Sequence, residues 1–288
     1  MENPKIRFKG FTKDWEQRKL GELGSLKNGM NFSKEAMGHG FPFINLQNIF
    51  GNNVIDVNKL ELADATEKQL LEYSLLKGDV LFVRSSVKLE GVGEAALVPE
   101  TLENTTYSGF IIRFRDEYGL NNDFKKYIFG TQKVRNQIMA QATNSANKNI
   151  SQGVLENLTF EVPSFDEQAK IGEHFSNLDH LITLHQRKCE QTKKLKKYML
   201  QKMFPRNGAK VPEIRFDGFT YDWEQRKLGE IYGSIGNAFV GTATPYYAEH
   251  GHFYLESNNV KDGQINHNAE IFINDEFYEK QKETGHTI

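Results

Sequence analysis

The longest regular pattern of apolar and polar positions runs from Ser164 to Pro205. Apolar side chains recur three or four positions apart in its first half and continue along a broader stripe, at Ile171, Phe175, Leu178, Ile182, Leu195 and Met199. This period predicts one amphipathic helix, which Ser164 and Glu167 would begin with a capping box. About forty residues give a helix of roughly 60 Å, which favours a second helix packed along the six apolar residues. The alternative is a solvated helix that lies on its own domain.

Shorter patterns precede this helix. Strands are predicted where apolar or alternating runs are bounded by Gly, Asn, Pro or Ser, at residues 41–46, 79–84, 92–98 and 108–115. Helical spacing predicts helices over residues 64–73 and 123–142, and a short helix and a strand between Ile150 and Val162. The predicted fold class is α+β, with a mixed α/β domain over residues 1–163 and a long coiled-coil-type helix over residues 164–205.

The chain contains a long internal repeat. Residues 4–23 and 212–231 are identical at sixteen of twenty positions, and both tryptophans of the chain occupy the same place in the two copies. An offset of 208 residues indicates duplicated domains rather than a solenoid of short units. The sequence after the long helix, residues 206–288, is therefore predicted to be an incomplete repeat of the first domain.

Composition is typical of a globular chain. Hydrophobic residues make up 38% and charged residues 26% of the 288 residues, and Cys189 is the one cysteine. A disulfide within the chain is thus excluded, which favours a reducing compartment. The first residues lack the apolar core of a signal peptide, and no apolar run has the length of a membrane span. These features predict a cytoplasmic protein.

Charge is unevenly distributed along the chain, although the total is only −2. Residues 1–163 have a net charge of 0, residues 164–211 of +5, and residues 212–288 of −7. A nucleic-acid surface on the first domain would therefore be a local patch. The basic excess lies on the second half of the long helix, where it is either a solvated face or a surface for phosphates or an acidic partner.

The sequence lacks the motifs of the common catalytic sites. It has no phosphate-binding G-x-x-x-x-G-K-[ST], no third glycine after Gly91 and Gly93 at the dinucleotide-binding spacing, and no Asn/Asp-Pro-Pro-aromatic motif of amino-methyltransferases. With a single cysteine and no clear third ligand near His250 and His252, no metal site is predicted.

Three predicted strand ends and loops of the first domain are rich in hydrogen-bonding side chains. Asn and Gln can pair with an adenine edge, Arg and Lys with guanine or phosphate, and Ser with phosphate. The candidate DNA-binding residues are Asn45, Gln47, Asn48, Arg84, Ser85, Ser86, Lys88, Ser145, Asn147, Lys148 and Asn149. The alternative for each is a turn that satisfies its own backbone.

Four motifs together resemble the specificity subunit of Type I restriction-modification systems. They are D-W-E-Q-R-K-L-G-E at 14–22, repeated at 222–230, and L-K-G-D-V-L-F-V-R at 76–84. The third is S-x-N-x-x-I-S-x-x-x-L-x-x-L-x-F-x-V-P from Ser145 to Pro163, and the fourth is E-Q-x-K-I-G-x-x-F-x-x-L-D-x-L-I from Glu167 to Ile182.

The resemblance implies a tandem of two target-recognition domains, each followed by a long helix, with the two helices paired as an antiparallel coiled coil. It implies sequence-specific binding of double-stranded DNA without catalytic residues or a cofactor in this chain. The implied partners are modification subunits, which use S-adenosylmethionine, and restriction subunits, which use ATP and magnesium. Since the second repeat is incomplete here, the long helix is expected to pair with a second copy of the chain. The alternatives are a coiled-coil protein-interaction scaffold and a stand-alone DNA-modifying enzyme.

Overall fold

The structure is a computed structural model that describes residues 4–143, 145–233, 235–237 and 239–283. The chain divides into two compact units, Met1–Thr192 and Lys193–Ile288, with the division inside the longest helix. The first unit is an α+β domain, as predicted. Its strands are β1 (Glu16–Lys19), β2 (Gly24–Asn28), β3 (Met37–Ile44), β4 (Glu61–Ala63), β5 (Val80–Val83), β6 (Ser85–Ser86), β7 (Ala95–Leu97), β8 (Thr106–Tyr107), β9 (Ile111–Asp116), β10 (Lys148–Asn149) and β11 (Thr159–Val162). Its helices are α1 (Leu20–Leu23), α2 (Glu67–Glu72), α3 (Asn122–Ile128), α4 (Gln132–Gln141), α5 (Gln152–Glu156) and the start of α6 (Phe165–Lys202).

The central sheet has the strand order β2-β9-β5-β7 and is antiparallel throughout. Successive side chains of a strand point to opposite faces, and β5 is buried on both. Val80 and Phe82 belong to the main hydrophobic core, which the helices cover, whereas Leu81 and Val83 belong to a second core. A smaller sheet of order β4-β3-β8 supplies Ile44 and Tyr107 to that second core. The continuous apolar run of β5 therefore joins two cores into one domain.

Strands from the two ends of the first domain pair with each other. β1 pairs antiparallel with β11, from Glu16 opposite Val162 to Lys19 opposite Thr159. The next element, α1, buries Leu20 and Leu23 in the core that also contains Phe160. The start of the chain thus closes the domain against the segment that leads into the long helix.

A network of buried polar groups fastens β9 to the loop before β5. The Asp79 carboxylate accepts hydrogen bonds from the Arg115 guanidinium at 2.7 and 2.9 Å and from the Leu76 backbone N–H at 2.8 Å. Arg113 and Arg115 both donate to the Ser74 carbonyl oxygen, at 2.7 and 2.9 Å. These bonds satisfy a carboxylate that is 2% exposed and would otherwise be costly to bury.

The single helix predicted over residues 123–142 is two helices, α3 and α4. The chain leaves the helix at Phe129, and α4 begins after Thr131. Phe129 lies in the main core, where its ring contacts those of Phe82, Phe114 and Phe160 edge-on, with centroids 5.0 to 6.3 Å apart. The break follows from this packing, because Gly130 and an N-terminal Thr already weaken the helix there.

The predicted long helix is confirmed as α6, whose 38 residues span about 57 Å at 1.5 Å per residue. The capping-box role expected of Glu167 is not what the structure shows. Its two carboxylate oxygens instead accept from the Arg7 guanidinium, at 2.6 and 2.7 Å, and the side chain is 1% exposed. This hydrogen bond raises the pKa of Arg7. The next residue, Gln168, accepts from the Asn121 backbone N–H at 2.9 Å and donates to the Pro163 carbonyl oxygen.

The apolar stripe of α6 meets two different environments. Ile171 packs against the main core of the first unit, and the Phe175 ring lies 5.2 Å from that of Tyr127. Gly172 lets the helix approach α3, since a Cβ there would lie 2.6 Å from the Asp123 Cβ. These residues therefore contact the chain's own domain rather than another helix. Farther along, Leu178, Ile182 and Leu195 are exposed and Met199 is partly buried.

The second unit is smaller. Its described elements are α7 (Leu228–Ile231), β12 (Tyr247–Ala248), β13 (His252–Phe253), β14 (Val260–Lys261), β15 (Gln264–Ile265), β16 (Phe272–Ile273) and α8 (Asp275–Glu283). β12, β16 and β13 form a three-stranded sheet in that order, and β14 and β15 form a separate two-stranded sheet. Ala243, Ile273 and Phe277 are its buried apolar core. Across the part of the chain that the structure describes, no helix is long and apolar enough to cross a membrane.

Candidate nucleic-acid interface

A two-stranded ribbon brings two of the three predicted loops together. β6 and β10 pair antiparallel, with Ser86 opposite Lys148 and Ser85 opposite Asn149. The ribbon continues at its inner end, where the Ile150 backbone N–H donates to the Arg84 carbonyl oxygen at 3.0 Å. Residues 84–88 and 145–149 are therefore neighbours in space although sixty positions apart in sequence.

Two of the three basic side chains of the ribbon donate to backbone carbonyl groups. The Arg84 guanidinium donates to the Gly109 carbonyl oxygen at 3.3 Å, and the Lys148 ammonium donates to the Ser145 carbonyl oxygen at 2.7 Å. Lys88 is exposed, and its backbone N–H donates to the Ser86 hydroxyl at 3.2 Å. An arginine guanidinium carries five donor hydrogens, so the bond of Arg84 to Gly109 leaves donors for another acceptor.

The loop before β10 folds onto its own backbone. The Ser145 hydroxyl and the Asn149 amide both donate to the Asn147 carbonyl oxygen, the latter at 2.8 Å. The loop is closed by a hydrogen bond of 3.0 Å from the Thr143 backbone N–H to the Asn149 carbonyl oxygen. These bonds occupy part of the polar groups of the loop within the chain itself.

The third predicted loop, residues 45–48, is a 3₁₀ turn with different roles for its three polar side chains. Asn45 and Gln47 donate to the Glu61 carboxylate at 3.2 and 2.9 Å. Asn48 is buried, accepts from the Asn45 backbone N–H at 2.9 Å and donates to the Lys59 carbonyl oxygen at 3.1 Å. Asn48 therefore holds the turn in place, while the other two side chains lie nearer the surface.

All three loops contribute to the wall of one open cleft of about 500 Å³. Its lining residues are Leu46, Phe50, Ser85, Ser86, Val87, Lys88, Glu90, Gly91, Glu94, Phe110 and Asn147. We call this cavity, together with the β6–β10 ribbon, the recognition cleft. It joins polar side chains from the predicted set to an apolar wall.

The apolar wall was missed in the sequence analysis. Phe50, Val87 and Phe110 line the recognition cleft with exposed side chains. Phe110 is detectable in principle, since an aromatic residue directly after Ser-Gly between two strands is unusual for a solvated turn. Val87 carried no signal, because its exposure depends on the pairing of β6 with β10.

Glu94 of the recognition cleft and the neighbouring Arg135 both form hydrogen bonds with backbone groups. The Glu94 carboxylate accepts from the Gly51 backbone N–H at 3.0 Å, and the Arg135 guanidinium donates to the Glu90 carbonyl oxygen at 2.5 Å. Burial lowers the pKa of Arg135. Within residues 4–143, 145–233, 235–237 and 239–283, no three His, Cys, Asp or Glu side chains come together in a metal-binding cluster.

Comparisons with known proteins agree on one family. The model of the Type I restriction modification DNA specificity domain matches residues 12–194, more than half of the chain. A putative Type I restriction enzyme MjaX specificity subunit from Methanocaldococcus jannaschii is 26% identical over 228 residues, which cover 76% of this chain and 53% of that protein. The EcoKI specificity subunit from Escherichia coli is 28% identical over 151 residues, 52% of this chain and 32% of that protein.

Among solved structures, the S subunit of a Type I restriction-modification system from M. genitalium is similar with a TM-score of 0.45 at 19% identity. The match covers 70% of this chain and 49% of that one. The chain thus spans about half the length, or less, of the relatives it matches. On the match to residues 12–194, this chain belongs to the family of Type I restriction-modification DNA specificity domains.

Proposed function

We propose that the first domain reads duplex DNA through the recognition cleft, and that the chain acts as a specificity subunit for separate enzymes. The pairing of β6 with β10 is the observation that supports this most directly, because it gathers Arg84, Lys88 and Lys148 with Ser86 and Asn149 on one ribbon. The major groove of B-form DNA, about 12 Å wide, admits a two-stranded ribbon of this kind.

The side chains of the ribbon match the chemistry of a groove and its phosphates. Lys88 and Lys148 would neutralise phosphates and set the position of the ribbon on the duplex. Asn149 and Arg84 would form hydrogen bonds with base edges, and the exposed apolar wall at Val87 would meet thymine methyl groups. Asn45 and Gln47 would contribute from the neighbouring turn, whereas Asn48 would act only by shaping it.

We also propose that the chain carries no reaction itself. It would direct modification subunits that use S-adenosylmethionine and restriction subunits that use ATP and magnesium. The relatives named specificity subunits support this division of labour. Purified chain, incubated with DNA, magnesium and S-adenosylmethionine, is expected to leave the DNA unmethylated and uncut, and turnover without added subunits would contradict the proposal.

Binding by the ribbon is tested with Arg84→Ala and Lys148→Ala. The probe is a pool of random-sequence duplexes, and anisotropy is measured across a salt series. Both substitutions are expected to weaken binding, and Lys148→Ala, which removes a phosphate contact, is also expected to flatten the slope of log K against log salt by about 0.9. Lys68→Ala, at an exposed position of α2, is the matched control and is expected to leave the slope unchanged.

Unchanged affinity and slope in both ribbon variants would remove the ribbon from the DNA interface. Sequence reading is tested separately by selection from the same random pool. Asn149→Ala is expected to relax the selected motif at one position, at a cost of about 1–3 kcal/mol in discrimination. A selected motif identical to that of the unmodified chain would show that Asn149 stabilises the loop and does not contact a base.

For the exposed part of α6 we propose a helical partner, a second copy of this chain. Leu178, Ile182 and Leu195 expose apolar surface on a helix long enough for a coiled coil. Ile182→Glu is expected to shift sedimentation from dimer to monomer. Gln191→Glu, which adds the same charge at an exposed position on the far side of the helix, is expected to leave the dimer intact. A chain that is monomeric before substitution would refute the proposal.

A further inference from the structure

Two glutamates line the recognition cleft, and they differ in what their carboxylates bind. Glu94 accepts a hydrogen bond of 3.0 Å from the Gly51 backbone N–H. Glu90 is exposed, and among the residues that the structure describes its carboxylate accepts no hydrogen bond and forms no ion pair. Glu90 therefore offers the cleft an acceptor that the chain itself does not use.

The adjacent Arg135 guanidinium binds the backbone of Glu90 and not its side chain. It donates to the Glu90 carbonyl oxygen at 2.5 Å, while its Nη1 nitrogen is buried without a hydrogen-bond partner in the described part of the chain. Glu90 lies where the recognition cleft adjoins a second open groove, which Arg135 lines. The carboxylate is left out of a charge-assisted pair with Arg135, so a donor that enters the cleft can bind it.

The backbone around Glu90 is fixed against the ribbon. Leu89–Gly91 forms a 3₁₀ turn. A Cβ at Gly91 would lie 2.5 Å from the Ser86 hydroxyl oxygen and 3.0 Å from a ring carbon of Phe50, so the turn packs directly on β6 and on the apolar wall. The position of Glu90 in the cleft is thus set by the same strand that carries the candidate DNA-binding residues.

A carboxylate has a narrow choice of partners on duplex DNA. It repels phosphates, and in its ionised form it only accepts hydrogen bonds. In the major groove, cytosine presents the N4 amino donor, adenine presents a donor beside the N7 acceptor, and guanine and thymine present only acceptors. The order of preference expected for a free carboxylate is therefore cytosine, then adenine, then guanine and thymine.

We propose that Glu90 selects cytosine at one position of the DNA target, by accepting a hydrogen bond from its N4 amino group in the major groove. The inference rests on the proposed reading of DNA by the recognition cleft and names one base of the target. Glu90 selects against guanine and thymine by repelling their acceptor atoms, as well as in favour of cytosine. Lys88, which lines the same cleft, offsets the repulsion between this carboxylate and nearby phosphates.

The test is selection from the random-sequence duplex pool with the full chain, in EDTA so that no divalent cation bridges the carboxylate to a phosphate. One position of the selected motif is expected to favour cytosine over guanine and thymine about tenfold. Glu90→Gln is expected to shift that position from cytosine to adenine and to leave the others unchanged, because a glutamine amide matches the donor and acceptor of an adenine edge. Glu100→Gln, which removes the same charge at an exposed position outside the cleft, is the matched control and is expected to select the unmodified motif.

A base analogue tests the same contact from the DNA side. N4-methylcytosine, placed at the selected position of a fixed duplex, carries a methyl group instead of the amino hydrogen that faces the major groove. It is expected to weaken binding of the unmodified chain about tenfold and binding of Glu90→Ala by less than about twofold, because the variant has already lost the acceptor. Thermal denaturation of both Glu90 variants is expected to match that of the parent, since the side chain is exposed and unpaired.

The outcomes separate this inference from the proposed function. A motif that Glu90→Gln leaves unchanged, or changes at a position other than a cytosine, would overturn the role of Glu90 while DNA reading by the cleft stands. An equal loss on N4-methylcytosine for the unmodified chain and for Glu90→Ala would do the same. A full chain that selects no motif would overturn both.

Discussion

Gly172 sets how closely the long helix approaches the first domain, and replacing it with alanine should separate the two. A Cβ at this position would lie 2.6 Å from the Asp123 Cβ and 2.7 Å from the Phe124 backbone nitrogen. Ordinary contacts of a Cβ lie between 3.4 and 4 Å, so the helix or α3 must move by close to an ångström. Two of the opposing atoms belong to backbone, which cannot rotate out of the way.

The magnitude follows from two opposing effects. Overpacking of this kind costs about 1–3 kcal/mol, and the upper part of that range applies because backbone atoms are involved. Alanine gains about 1 kcal/mol over glycine in helix propensity. Gly172→Ala is therefore expected to lower the free energy of unfolding by about 1–2 kcal/mol.

Gly153→Ala is the matched control. Gly153 is exposed in α5, and the closest atom to its added Cβ would be the Ser151 hydroxyl oxygen at 4.0 Å. This variant is expected to be neutral or more stable by up to about 1 kcal/mol. Urea denaturation followed by circular dichroism measures both, and hydrogen exchange of the α3 amides reports the local change. Equal stabilisation by the two substitutions would refute the close approach of α6 to α3.

Three further substitutions test how the first domain is held together, each measured by urea or thermal denaturation. Asp79→Ala leaves the Arg115 guanidinium without its carboxylate and is expected to cost about 3–5 kcal/mol; an unchanged midpoint would show that the pair contributes little. Glu167→Gln is expected to lower the unfolding temperature, because the buried side chain loses its charged pairing with Arg7, and a variant as stable as the parent would contradict this. Phe129→Ala removes the ring between α3 and α4 and is expected to cost about 3–5 kcal/mol, whereas a cost below about 1 kcal/mol would show that the core collapses into the space.

Much of the architecture was readable from local patterns. Elements with a strong hydrophobic period or clear flanking turn residues are present as predicted. They are the long helix, the strand at residues 79–84, and the short helix and strand before Pro163. The prediction of a single helix over residues 123–142 was wrong, because the helix is interrupted at Phe129. A local pattern does not show that four aromatic rings from distant segments converge there, and this convergence decides the break.

The candidate site was predictable only as separate pieces. Asn48 and Ser86 look alike in sequence, as polar residues near a strand end. Their difference depends on long-range contacts: the Asn48 amide reaches the Lys59 carbonyl oxygen, whereas Ser86 pairs across the ribbon with Lys148. The DNA-binding residues thus stay predictions, and the geometry ranks Arg84, Lys88 and Lys148 ahead of Asn48.

The antiparallel pairing of β1 with β11 has a consequence for how such chains can change. The first and last strands of the globular module lie side by side, so its two termini leave at the same place. A module with adjacent termini can be exchanged for another as a cassette, since the rest of the polypeptide needs no new connection. Recombination at the junction before Phe165 would exchange the surface of the first domain and leave the exposed part of α6 unchanged.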